Sequence, residues 1–384
     1  MNDLSVITRE FGDLSQWEKG PDFWLAHPRE VVPFTKTLKE GVTRVIGRSA
    51  GGREVIAVEY GEKEPLDATT DNLHSCLASN LVPPDPTAIF PPAFFGSKRR
   101  RKPVVVLQGA VHGSEYTGTV ASMNLCRIIE TGCDVRGKAW PKLRELARGA
   151  RICIIPWVNV DGASRTPWAT HCNMPSEAAG AITQGVAKDG KKYKYPAMKA
   201  IFPIPPEKTA FMGTYYNDAG VNLQYDFCLP ERQPETVAWM KYYLAEKPDG
   251  VVCWHCNAGS LIGPPGYYMP PGYQIEESRL AGAVRARLMR EGYPAGRLSW
   301  AGLPGMGKPD IDQITAAFFV CGALSVLCEL PSGCKEWYMS HDDMLDIGLI
   351  VIDEILLYAH SDGLRPYESW EKVKKQFNAP PKAT

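Results

Sequence analysis

The 384-residue chain has no excess of charge of either sign. Its 43 Lys and Arg balance 43 Asp and Glu, for a formal net charge of zero and a pI near 7.0. That balance argues against a nucleic-acid binder working through bulk positive charge, and against a polyanionic tail. A long apolar run is also missing: the longest uncharged, mostly apolar run, residues 314–328, is too short to cross a bilayer and stops at Glu329. The opening Met1-Asn2-Asp3-Leu4-Ser5 begins with an acid and lacks the apolar core of an export signal. The 11 cysteines are odd in number, so no complete disulfide pairing exists. Reduced thiols in a cytoplasmic protein are therefore the expectation. No internal repeat is present. What remains, 44% apolar and 22% charged residues, is enough to bury a sizeable core and excludes collagen-like, coiled-coil and wholly disordered classes.

Length alone suggests two domains, or one large domain with insertions. Residues 1–40 read as a helical N-terminal extension anchored by Trp17, Phe23 and Trp24. Two strand-like segments, 43–47 and 54–58, follow, joined by the Ala50-Gly51-Gly52 turn. Pro, Asn and Asp then accumulate over residues 61–102, an inserted loop ending in the basic run 98–102, which reads as solvated rather than as an anion-binding patch. Short apolar runs at 104–108, 152–158, 250–254 and 324–327 alternate with helical patterns at 122–130, 235–244, 276–290 and 345–358. Buried strands alternating with helices predict an α/β domain with a mixed, mostly parallel twisted sheet flanked by helices. A second insertion, 168–215, is rich in Lys, Pro and Gly and reads as a surface excursion near the site.

The chemistry sits where each apolar run ends. Val104–Leu107 is followed by Gln108-Gly109-Ala110-Val111-His112-Gly113-Ser114-Glu115, and Ile154–Val158 by Asn159-Val160-Asp161-Gly162 and then Arg165. Val251–Trp254 is followed by His255, and Leu324–Cys328 by Glu329. Open α/β sheets bind ligands beyond the carboxyl ends of their strands, so these groups should converge on one crevice. His112 and Glu115, three apart across a glycine, can grip one cation, and His255 can complete a His₂Glu set. Three protein ligands with an open fourth position is the catalytic zinc arrangement. Glu329, at the end of a buried strand, is the natural general base.

The order of these motifs resembles the zinc carboxypeptidases of the M14 type. Gly47-Arg48-Ser49-Ala50-Gly51-Gly52-Arg53 is similar to that family's early Gly-x-Ser-x-x-Gly-Arg turn, and His112-Gly113-Ser114-Glu115 to its first two zinc ligands. Asn159-Val160-Asp161-Gly162 is similar to its Asn-Pro-Asp-Gly element, and Gly220-Val221-Asn222-Leu223-Gln224-Tyr225-Asp226-Phe227 to its Gly-Val-Asp-Leu-Asn-Arg-Asn-Phe block. His255 then matches the third ligand and Glu329-Leu330-Pro331 the catalytic glutamate, collinear over residues 43–331. The resemblance implies a catalytic domain over 41–360 with a tail at 361–384, one Zn²⁺ per chain, and hydrolysis of a peptide or amide bond. It also implies Arg165 as the group that polarises the scissile carbonyl, and Asn222, Gln224 and Tyr225 as substrate contacts.

One departure bears on substrate. The family's Asn-Arg pair clamps a free C-terminal carboxylate, and here Gln224 and Tyr225 stand in its place. A phenol and an amide lack the charge and the fork of a guanidinium. Either Arg165 or Arg232 supplies the cation, or the substrate has no carboxylate there. A metallocarboxypeptidase, an amidase or deacylase on acyl-amino acids, and a non-catalytic binding protein on the same fold are thus the alternatives. The expected partner is a peptide or small amide, with neither nucleic acid nor membrane. The family's mobile tyrosine has four candidates, Tyr267, Tyr268, Tyr273 and Tyr293. Cys253-Trp254-His255-Cys256 contains a Cys-x-x-Cys, but without a second one it reads as buried thiols on a strand. Residues 302–308 copy a phosphate-loop spacing, yet Pro309 replaces the magnesium-binding hydroxyl, and a mobile loop is the reading. The Pro- and Gly-rich run 263–272 reads as a pocket rim.

Overall fold

The computed structural model describes residues 3–65, 100–195, 197–200, 203–257, 261–262, 271–294 and 312–361. Most of the first insertion, the loop at 302–308, Tyr267, Tyr268 and residues 362–384 lie outside these described residues.

The β-branched runs form strands β1 (Val42–Arg48), β2 (Glu54–Tyr60), β3 (Val104–Gln108), β4 (Arg151–Ile155), β7 (Gly250–Asn257), β8 (Leu261–Ile262) and β9 (Leu324–Pro331), while Val186–Ala187 (β5) and Thr209–Phe211 (β6) make a separate hairpin. The main sheet has the order β1-β2-β4-β3-β7-β9-β8. Its centre, β4-β3-β7-β9, is parallel, and antiparallel neighbours close both sides. Every residue of β3 and β4 is buried, which is what a parallel strand covered on both faces requires. Helices Thr117–Thr131, Pro141–Arg148, Pro271–Arg290 and His341–His360 pack as one group, and Pro234–Glu246 with Gln313–Cys321 as another. A single α/β domain results, as the strand–helix alternation predicts. Among the described residues no helix is long and apolar enough to cross a membrane.

The apolar run 314–328 divides at Gly322, which takes φ 75°. Its first half is helix Gln313–Cys321, started by Asp312, whose side chain accepts from the Ile314 and Thr315 amides at 3.0 and 3.3 Å. The second half is β9. Hydropathy does not separate the two, because both are buried.

Two expectations are corrected. Residues 168–215 are no surface excursion: Trp168, Met174 and Phe211 join Ile7, Leu14 and Trp17 in a satellite core. The apolar anchors of the extension need cover, and this segment provides it. Trp17 Nε1 donates to Cys172 O at 2.9 Å and Trp24 Nε1 to Ala169 O at 3.0 Å. The basic run is not wholly solvated either, since Arg100 is buried, donating to Glu246 O at 3.0 Å and pairing with Asp249 at 3.2 Å.

Candidate metal centre

The turn that carries the first two ligands is set by its neighbours. Just past β3, Ala110 is held at φ 42°, a left-handed conformation unusual for a residue with a Cβ, and it throws the chain sharply out of the strand. Gly113 then lies against the Asn159-x-Asp161-Gly162 element. A Cβ there would meet Gly162 C and Ala163 N at 2.2 Å, so glycine is required. Gly113 N donates to Thr214 O at 2.8 Å and Ser114 Oγ bonds Thr214 Oγ1 at 2.6 Å, pinning the turn on both sides.

Those supports belong to one buried network. Asn159 Oδ1 accepts from Gly162 N at 2.8 Å, and its Nδ2 donates to Thr214 O at 3.1 Å. Asp161, wholly buried, accepts from Ser49 Oγ at 2.5 Å, Gly51 N at 2.9 Å, Arg53 Nη1 at 2.8 Å and Asp218 N at 3.1 Å. The two Gly- and Asp-bearing motifs, far apart in sequence, are therefore halves of a single joint beneath the ligand turn.

Three ligating groups meet above it. Glu115 Oε1 accepts from His112 Nδ1 at 2.8 Å, and Glu115 Oε2 lies 3.2 Å from His255 Nδ1. All three are buried, and their ligand atoms lie within 4.8 Å of one another. Burial alone pushes the Glu115 carboxyl up, but the two imidazoles outweigh it and hold the group below its ordinary value. Desolvation alone would push His255 down, but the charge and hydrogen bond of Glu115 together with the charges of Glu329 and Asp312 outweigh it and move the ring up. Two imidazoles and one carboxylate, dry and converging, are the donor set that zinc takes, and the residues fit that ion. Among the described residues no other such group occurs.

Glu329 stands beside this cluster, since β7 and β9 pair His255 directly with Glu329. The Tyr215 ring stacks on His112 at 3.7 Å between centroids, a contact that nothing local in the sequence signals. Behind His255, Gln313 Nε2 lies 3.3 Å from His255 Nε2 and Gln313 Oε1 accepts from Gln108 Nε2 at 2.8 Å. His171 is a second residue that sequence reasoning passes over. It is buried edge-on against Tyr116 and lowered to about 4 by desolvation, in a small cavity with Ser114, Thr117 and Cys256.

The other site candidates fall differently. Gln224 is buried and accepts through its backbone O from Gln313 N at 2.8 Å, while Tyr225 is half-buried. Asn222 is buried and turns its Oδ1 back to Gln224 N at 3.1 Å. Arg165 has a fully buried side chain whose guanidinium is taken up by Gly213 O at 2.7 Å, Tyr216 O at 2.5 Å and Asp218 Oδ1 at 2.7 Å. In that state Nη1 and Nη2 brace the joint, while Nε is buried with no hydrogen-bond partner among the described residues. Arg232 is exposed and donates to Phe227 O at 2.5 Å. Tyr293, half-buried, donates to Asp346 Oδ2 at 3.0 Å. Burial raises the Cys253 and Cys256 thiols above their ordinary range, in keeping with inert buried cysteines.

A His₂Glu centre at the carboxyl ends of parallel strands, with a carboxylate alongside, defines a zinc-dependent hydrolase on an α/β sheet. The zinc carboxypeptidase family model matches residues 35–292, and the chain belongs to that family, which makes it a zinc metallopeptidase. Similar solved structures include a metallo-carboxypeptidase from Burkholderia cenocepacia, 14% identical over 87% of this chain and 70% of that one, with TM-score 0.54. Another is a metallo-carboxypeptidase from Pseudomonas aeruginosa, 14% identical over 88% and 68%, with TM-score 0.50. Thrombin activatable fibrinolysis inhibitor is 12% identical over 94% and 83%, with TM-score 0.54. At such identities these structures share the fold. No curated protein sequence matches the chain.

Proposed function

We propose that the chain hydrolyses a peptide or amide bond, releasing the C-terminal residue of a peptide, with His112, Glu115 and His255 holding zinc and Glu329 as general base. The observation that carries the reading is the pairing of His255 with Glu329 across β7 and β9, which sets a carboxylate next to a buried His₂Glu set. Zinc held there supplies a Lewis acid that polarises a carbonyl and acidifies water. Glu329 takes the proton of the attacking water on its carboxylate and later returns it to the departing amine nitrogen. Glu115 stays ionised between the two imidazoles and keeps their Nδ1 edges facing one point. Gln224 and Tyr225 offer an amide and a phenol to the leaving portion of the substrate.

A second reading has a specific observation behind it. The arginine of the family's clamp is absent at Tyr225, the Arg165 guanidinium is taken up by Gly213, Tyr216 and Asp218, and Arg232 bonds its own loop. These facts favour a substrate without a free carboxylate at that point, such as an acylated or amidated compound. Matched peptides with free and amidated C-termini separate the two. A strong preference for the free acid supports the carboxypeptidase, and equal rates transfer the assignment to an amidase. Glu329→Gln should keep about one zinc per chain and lose at least a hundredfold in kcat. Near-normal turnover in that variant would remove Glu329 from the chemistry.

A further inference from the structure

We infer that Gln313, Gln108 and Tyr243 form a hydrogen-bond relay that sets which nitrogen of His255 carries its proton, and that loading the centre with zinc reverses the relay. The inference rests on the zinc-site reading above and deepens it by assigning positioning residues.

An ionised carboxylate only accepts, so in the neutral ring His255 Nδ1, 3.2 Å from Glu115 Oε2, carries the hydrogen. His255 Nε2 is then a bare acceptor, and Gln313 Nε2 sits 3.3 Å from it as donor. Gln313 Oε1 accepts from Gln108 Nε2 at 2.8 Å, and Gln108 Oε1 in turn accepts from the Tyr243 hydroxyl. Gln108, Tyr243, His255 and Gln313 are all buried, at no more than 3% exposure, so water cannot rescue a mispaired end. Each amide has both ends engaged, and the orientation of one dictates that of the next.

Zinc requires the lone pair of the nitrogen that faces Glu115 and His112, which is Nδ1. The ring stays neutral, so its hydrogen moves to Nε2 and points at Gln313 Nε2, donor against donor. Turning the Gln313 amide over brings Oε1 to His255 and Nε2 to Gln108. Gln108 must then turn as well, presenting its Oε1 to Gln313 and its Nε2 to the Tyr243 oxygen. Each amide exchanges two atoms of nearly equal size, so the reversal needs no repacking. A polar Gln313 heading the mostly apolar helix Gln313–Cys321 is explained by this role, since a residue that both donates and accepts is what a reversible link needs. Outer partners of this kind orient metal-bound imidazoles in general, and their loss typically costs 10- to 100-fold in metal affinity.

The test uses the full chain and zinc alone as the probe. Zinc affinity is measured by competition with a chromophoric chelator, and the imidazole tautomers by long-range ¹H–¹⁵N NMR with and without zinc. In the wild type, His255 should show Nδ1–H without zinc and Nε2–H with it. Gln313→Leu should weaken zinc by about 10- to 100-fold. Gln313→Glu, an acceptor that can serve His255 Nε2–H and Gln108 Nε2 together, should restore affinity to the wild-type level or better. A purely space-filling role for Gln313 would not give that rescue. Tyr243→Phe should weaken zinc a few-fold in the wild-type background and not at all in the Gln313→Glu background. Zinc affinity of Gln313→Leu within twofold of wild type, or an Nδ1–H signal for His255 in the loaded protein, overturns the relay. A wild-type chain that takes up no zinc would instead overturn the metal-site reading on which the relay stands.

Discussion

Alanine at Gly113 isolates the cost of moving the ligand turn. The added methyl would lie 2.2 Å from Gly162 C and from Ala163 N, both backbone atoms held by the Asn159 and Thr214 hydrogen bonds. Ordinary carbon contacts need about 3.5 Å or more, so the turn must lift by roughly an ångström. Overpacking of this kind costs about 1–3 kcal/mol of stability. Its larger effect is on the site, because His112 and Glu115 flank Gly113, and a displacement of about 1 Å costs on the order of 100-fold in a positioned reaction. Zinc affinity should fall by at least tenfold. Gly180 gives the matched control: it lies in helix Ser176–Gln184 with nothing within 4 Å of the position a Cβ would take. There the same substitution should stabilise the protein by about 0.5–1 kcal/mol through helix propensity. Thermal unfolding without zinc and chelator competition with it read both variants. Wild-type zinc affinity and melting temperature in Gly113→Ala would refute the claim that this close approach holds the ligands in place.

Glu235 is wholly buried, accepting from Ala50 N at 3.0 Å, and desolvation raises its carboxyl to about 7 from 4.5. The folded chain therefore holds this proton more tightly than the unfolded one, and the group's contribution to stability is lost as pH rises from about 4.5 through 7. Over that window the wild type should lose on the order of 3 kcal/mol relative to Glu235→Gln, read from denaturant unfolding at pH 5 and pH 8, and parallel pH profiles would refute the assignment. Arg165→Lys should cost about 2–4 kcal/mol in stability, because one ammonium cannot span two carbonyls and the Asp218 carboxylate, while leaving KM within a few-fold of wild type. An unchanged melting temperature with a large rise in KM would return Arg165 to the substrate.

Much of the fold was legible because parallel strands buried on both faces leave unbroken apolar runs, as in Val104–Leu107 and Val251–Trp254. The ligands were legible for a related reason: His112, Glu115, His255 and Glu329 each follow such a run, where an α/β sheet exposes its chemistry. The partners behind them were not. Gln313 is one polar residue at the head of an apolar stretch, and its meaning depends on Gln108, 205 positions away. Tyr215 reaches His112 through a segment whose Lys, Pro and Gly content disguised how tightly it packs. Arg165 is a candidate through the family resemblance, although it stands only six residues beyond Asn159; Gly213, Tyr216 and Asp218, which take up its guanidinium, reach it only through folding.

The position of β9 has a consequence for anyone dividing this chain. The family match spans residues 35–292, yet β9 comes after it and sits inside the sheet between β7 and β8. A fragment cut at those limits would lose Glu329, helix Gln313–Cys321, helix His341–His360 and the Trp17 and Trp24 latches. It would also leave β7, with its buried Val251, Val252, Cys253 and Trp254, as a bare sheet edge. An unprotected apolar edge pairs with other chains, so such a piece should precipitate into β-rich aggregates rather than fold as a smaller enzyme.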